Sequence, residues 1–154
     1  MYKISLFLIF SLFMFSCSDN CADVDCGANG SCDDGTCLCD DWVEGDRCET
    51  ETRAKFLGAW SSASNCIDAN GDPISPNWTL STTATINEFL VEAPDFLVGF
   101  FLTAALSDDN NATIQPFELT TGNITGTVEF ISDTRLSIVL NSPGSDTCTF
   151  DLSR

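Results

Sequence analysis

The stretch Cys21–Cys48, CADVDCGANGSCDDGTCLCDDWVEGDRC, places six cysteines in 28 residues that hold almost no aliphatic side chains. Below roughly 40 residues a chain rarely buries enough apolar surface to fold without covalent or metal staples. The cysteines must therefore form the core of this segment. Six thiols can pair in many ways, and their spacing alone selects none of them. A zinc site built on Cys37-Leu38-Cys39 is the rival reading. It lacks the usual knuckle spacing of two to four residues, and the chain contains no His.

The segment's tail carries more information. Cys37-Leu38-Cys39, then Trp42, Gly45 and Cys48 resemble the epidermal growth factor (EGF)-like module, which has an aromatic at the Trp42 position. The resemblance implies a small disulfide-rich unit over residues 21–48, with Cys21 paired to Cys32, Cys26 to Cys37 and Cys39 to Cys48. Calcium-binding members of that family carry an acidic run before the first cysteine and an aromatic between the third and fifth. Here Ser18-Asp19-Asn20 and Asp33-Asp34-Gly35-Thr36 largely lack that pattern. Asp68-Ala69-Asn70-Gly71-Asp72 alternates oxygen ligands as a calcium loop does, but no bidentate Glu follows, and Asn-Gly reads first as a turn. No metal ligand set and no cofactor is expected.

Upstream, residues 1–16 carry one basic residue, Lys3, and then an apolar run from Ile4 to Phe15. That run is shorter than the ~20 residues needed to cross a bilayer and has the form of a secretory signal. Cys17 follows Met14-Phe15-Ser16 directly, which resembles the lipobox of bacterial lipoproteins. The resemblance implies a diacylglyceryl thioether on Cys17, with residues 17–20 as anchor and spacer. The chain has nine cysteines, an odd number for an exported protein. Six belong to the cysteine-rich segment, Cys66 and Cys148 remain to pair with each other, and Cys17 is left over. Lipidation accounts for it; the alternative is ordinary signal cleavage, with Cys17 free or bridged to another chain.

The formal charge is −17, and between Asp19 and Glu51 there are 11 acidic residues against Arg47 alone. Nonspecific nucleic-acid binding depends on Lys and Arg displacing phosphate counterions, so nucleic acid is excluded as a partner. Four Asn-x-Ser/Thr sites, at Asn29, Asn77, Asn111 and Asn123, would accept glycans in a eukaryotic secretory route and otherwise read as turn and strand chemistry.

Residues 49–56 are polar and form a connector with helical tendency. From Leu57 to Arg154 the chain is rich in Thr, Ile, Val, Phe and Leu and is broken at regular intervals by Gly, Asn, Asp and Pro. Eight strands are expected: Leu57–Cys66, Trp78–Ile86, Glu88–Val91, Val98–Leu106, Thr113–Leu119, Ile124–Phe130, Arg135–Leu140 and Thr147–Leu152. Alternation places Trp78, Leu80, Thr82, Ala84 and Ile86 inside, with Ile124, Gly126, Val128, Phe130, Cys148, Phe150 and Leu152. Phe96 to Leu106 is apolar on both faces and reads as a central strand or a short helix. A Cys66–Cys148 bridge needs Cα atoms within about 7 Å, so it would set the first and last strands side by side. The fold class is all-β: the disulfide-rich unit followed by an antiparallel β-barrel or β-sandwich over residues 57–154.

Gly58-Ala59-Trp60 resembles the Gly-x-Trp signature of lipocalin-like barrels, in which the Trp closes the base of a ligand-holding cup. Trp60 also serves as ordinary core. If an apolar ligand is carried, Trp60, Trp78, Phe100 and Phe130 are the candidate lining residues. Catalysis is not expected. Without His, with Tyr2 as the single Tyr and with Lys55 as the lysine outside the leader, no Ser-His-Asp or Cys-His device can be built. The carboxylates Glu88, Glu92, Asp95 and Glu118 are scattered rather than paired. The expectation is a non-enzymatic protein lipid-anchored at the outer membrane or cell surface, in which an EGF-like spacer presents a β domain to a protein or glycan partner. Loops Ile67–Ser75 and Asp108–Thr113 are the contact candidates. The alternative is a lipocalin-like carrier.

Overall fold

The structure is a computed structural model and describes residues 20–68, 70–144 and 147–154. The expected signal segment and the lipidation site Cys17 lie outside those residues.

Four disulfides join Cys21 to Cys32, Cys26 to Cys37, Cys39 to Cys48, and Cys66 to Cys148. The first three hold a segment with two short antiparallel pairs, β1 (Gly30–Asp33) with β2 (Thr36–Cys39), and β3 (Val43–Glu44) with β4 (Thr50–Glu51) just past Cys48. Cys26 and Cys48 are its buried residues, so the disulfides do occupy the place of a hydrophobic core. Gly30 has no alternative here: a Cβ on it would lie 2.5 Å from the Cys48 sulfur.

A 3₁₀ helix, Thr52–Lys55, leads into the barrel. Its strands are β5 (Gly58–Ser64), β6 (Asn77–Thr82), β7 (Glu88–Glu92), β8 (Leu102–Leu106), β9 (Asn111–Leu119), β10 (Gly122–Ser132), β11 (Arg135–Asn141) and β12 (Cys148–Ser153). Each pairs antiparallel with the next, and β12 pairs with β5 to close the barrel. Barrel, not sandwich, is therefore the architecture, and closure removes every free sheet edge. Every second residue points inward: Trp78 and Leu80 on β6, Leu102, Ala104 and Leu106 on β8, Leu136, Ile138 and Leu140 on β11. Gly126, beside a register shift on β10, is required for the close approach of β11, since a Cβ there would sit 2.0 Å from the Val139 carbonyl oxygen.

Two strand expectations are corrected. The second strand stops at Thr82, so Thr82 and Ala84 are exposed and Ile86 only half-buried, because residues 83–87 turn toward β7 instead of continuing the alternation. The run Phe96–Leu106 is neither one strand nor a helix. Only Leu102–Leu106 is extended, while residues 93–101 fold across the barrel end, with Gly99 at φ +79°. The segment turns Leu97 inward and leaves Val98 and Phe101 exposed as it crosses the barrel end, so its apolar residues follow neither a strand nor a helix period.

Candidate functional site

The up-and-down course sorts the loops into two sets. Residues 83–87, 107–110 and 133–134 lie at one end, with the 3₁₀ helix, and residues 65–68, 70–76, 93–101, 120–121, 142–144 and 147 lie at the other. The two ends differ in chemistry.

The first end is closed. Phe56 stacks on Phe89 with ring centroids 5.2 Å apart and meets Phe130 edge-on at 5.8 Å. Arg53, only 5% exposed, points at the 83–88 hairpin. Its Nη1 donates to the carbonyls of Thr83 (3.1 Å), Thr85 (2.5 Å) and Glu88 (2.6 Å), and its Nε to Glu51 at 2.7 Å. On the other side Arg154 lies over the Trp60 ring, 4.2 Å from its centroid, and donates to the carbonyls of Leu57 and Asp133. The Trp60 Nε1–H donates to the Phe56 carbonyl at 3.0 Å. Gly58 takes φ +121°, a conformation L side chains rarely adopt, next to the Arg154 guanidinium. The cysteine-rich unit abuts this end. Trp42 packs against the barrel core, its carbonyl accepts the Thr52 N–H at 2.9 Å, and Lys55 reaches Glu44 at 3.4 Å.

The second end is open. A cavity of about 590 Å³ lies in it between the Cys66–Cys148 disulfide, Ile74, Leu140 and the covering segment's Phe96 and Leu97. Among the described residues that line it none is charged. Large apolar side chains are exposed at this end: Ile67, in the cavity wall, is 65% exposed, Val98 74%, and Phe101, in a neighbouring cleft, 61%. Water-facing apolar groups at this density normally mark a contact surface. A smaller cleft beside it holds Glu92 among Pro94, Phe100 and Phe101.

Of the expected lining residues, Trp60 and Trp78 are directly opposed on β5 and β6 and are both buried. Trp60 belongs to the closed end. Trp78 meets Phe96 (6.3 Å) and Phe150 (5.0 Å) edge-on, beneath the covering segment. Phe130 lies at the closed end under Lys55, whereas Phe100 is on the open rim against Phe117. The four do not line one cavity. The two contact loops are likewise separated: residues 67–75 border the open end, while Asp108 and Asp109 face Asp41 and Trp42 at the closed one. Phe96, Leu97 and Ile74 carry the open end and were not singled out as lining residues. Pro94-Asp95 before Phe96 is the signal that would have placed it in a loop rather than on a strand.

The acidic turns are local structure. Asp68 accepts the N–H groups of Asp72 and Asn70, and Asp108 those of Asn110 and the Asn111 amide; these bonds hold both carboxyls below the usual range. Asp25 is lowered by the Gly27 N–H and then by Arg47. Among the described residues no cluster of His, Cys, Asp or Glu is arranged to hold a metal ion.

No protein-family model matches the chain, and neither does any curated protein. Solved structures with a similar course include designed barrels. One is a redesigned β-barrel at 11% identity and TM-score 0.48, covering 67% of this chain and 94% of its own. Another is the redesigned barrel mFAP1 bound to DFHBI, at 14% identity and TM-score 0.48, covering 67% and 98% respectively.

Proposed function

We propose that this is an exported, non-enzymatic binding protein held at the outer membrane or cell surface by a lipid on Cys17. In this reading an EGF-like module over residues 21–48 is the spacer, and the open barrel end is the recognition face. The observation that carries the reading is the difference between the ends. One is consumed by Arg53, Arg154, Phe56 and the cysteine-rich unit; the other offers an uncharged cavity with exposed Ile67 in its wall, and Val98 and Phe101 exposed on the segment that crosses the same end. The EGF-like assignment is supported by the disulfide order and by Gly45 at φ +100° before Cys48. A spacer attached at the closed end leaves the open end directed away from the anchor.

A second reading is favoured by one number. A small-molecule site needs roughly 300 Å³ or more, and the cavity holds about 590 Å³. A lipocalin-like carrier of an apolar ligand would use the cavity itself, whereas a protein partner would use its rim.

Nile red, neutral and apolar, tests the placement. Its fluorescence should rise saturably with the protein, and Ile67→Asp with Val98→Asp should weaken binding by about tenfold, whereas Ile131→Asp, exposed near the closed end, should leave it unchanged. Both rim positions are exposed, so the fold is retained. Equal binding by all three proteins would contradict the reading.

A further inference from the structure

Trp78 is fully buried, and its Nε1–H has no hydrogen-bond acceptor among the described residues. Its cross-strand neighbour Trp60, equally buried, has one in the Phe56 carbonyl. Leaving a buried donor unmade costs more than a typical hydrogen bond contributes, so a native protein rarely tolerates it without a use. Trp78 does not itself line the open-end cavity; Phe96 stands between them. Phe96 belongs to both: its ring lies 6.3 Å from the Trp78 ring and 5.4 Å from that of Phe150, and it lines the cavity. Phe96 is the one side chain of the covering segment that contacts Trp78 by its ring. The segment itself is tied down by short local bonds, with Phe96 and Leu97 N–H groups on the Ala93 carbonyl and Phe100 on Leu97. Its neighbours Val98 and Phe101 are exposed.

We infer that Phe96 is a plug over an inner binding site, in which an apolar, uncharged ligand with a carbonyl or ether oxygen takes the place of the Phe96 ring and accepts the Trp78 Nε1–H. This rests on the carrier reading and specifies the ligand class. An apolar body suits the Phe150 and Trp78 rings and the cavity above them. An uncharged acceptor suits a lining with no cation to pair a carboxylate, in a chain of net charge −17.

The probe is Prodan, a neutral naphthalene with a ketone, compared with 2-dimethylaminonaphthalene, which lacks the ketone. Titration into ¹⁵N-labelled protein reads the indole N–H resonances directly. Prodan should move the Trp78 indole signal downfield and leave that of Trp60 in place. Phe96→Ala should raise Prodan affinity by about tenfold, and Phe96→Leu, a milder change, should raise it less; amide dispersion checks that both remain folded. Adding Trp78→Phe should weaken Prodan by roughly fivefold while sparing the ketone-free analogue, as expected for one neutral hydrogen bond. If Prodan shifts resonances of Ile74 and Leu140 but not the Trp78 indole, the inner site is overturned and the open-end reading stands. If it shifts neither, both fall. An indole N–H already bonded to a retained water, unchanged by Prodan, also overturns the inference.

Discussion

Arg53 shows how much one side chain can decide. A guanidinium with three carbonyls and a carboxylate around it fixes the 83–88 hairpin to the 3₁₀ helix, and Lys or Met cannot reproduce the fork. Arg53→Met should cost about 3 kcal/mol through the stranded carbonyls, measured by urea unfolding. Gly126→Ala should cost about as much for the opposite reason, since its methyl would overlap the Val139 backbone. The acidic turns give a pH signature. Asp25, Asp68 and Asp108 have folded values below 3.8, so their contribution is complete above that pH and is lost as pH falls through the lower folded values. These carboxylates are exposed, so melting temperature should fall only modestly from this source at the acid end, and Asp68→Asn with Asp108→Asn should flatten that part of the curve. An unchanged profile would assign the acid loss elsewhere. At this scale the sequence was readable where a period existed: Trp78, Leu80, Val128, Phe150 and Leu152 all point inward as their alternation requires. Arg53 and Arg154 carried no period, because their partners are carbonyls distant in sequence.

Among the elements, β5 and β12 bear the closure. The Cys66–Cys148 bridge spans 82 residues at one end of this pair, with Cα atoms 5.4 Å apart, and it also lines the cavity. Replacing both by Ser should cost on the order of 4 kcal/mol in the chain-entropy view, about 15 °C in melting temperature for a domain of this size. It should also weaken Nile red, because the same bridge shapes the cavity wall. A variant that loses no stability would remove the bridge from the account of closure. All eight strands were legible, since turn residues punctuate them. What failed was the stretch between β7 and β8. Its residues face a barrel end rather than a sheet, so neither a period of two nor of 3.6 exists to be read.

For the molecule as a whole, the question is how two units without a common fold are joined. Trp42 makes the joint: it sits at φ +68°, a conformation costly for a bulky side chain, and packs on the barrel core. Trp42→Ala should free the cysteine-rich unit without unfolding the barrel, visible as increased hydrogen exchange at Thr52 while amides of β10 and β11 stay protected. The cysteine count and spacing made the disulfide-rich unit legible, but no residue pattern foretold which barrel end it would cover, and that choice fixes which end is left for the proposed recognition face. The account stands on an exported chain with four bridges and a lipid on its remaining cysteine. Intact mass spectrometry of membrane-extracted protein, with and without reductant, addresses this most directly. The account predicts a chain beginning at lipid-modified Cys17 that gains about eight mass units on reduction, two for each of four bridges. An unlipidated chain with no such gain would contradict it.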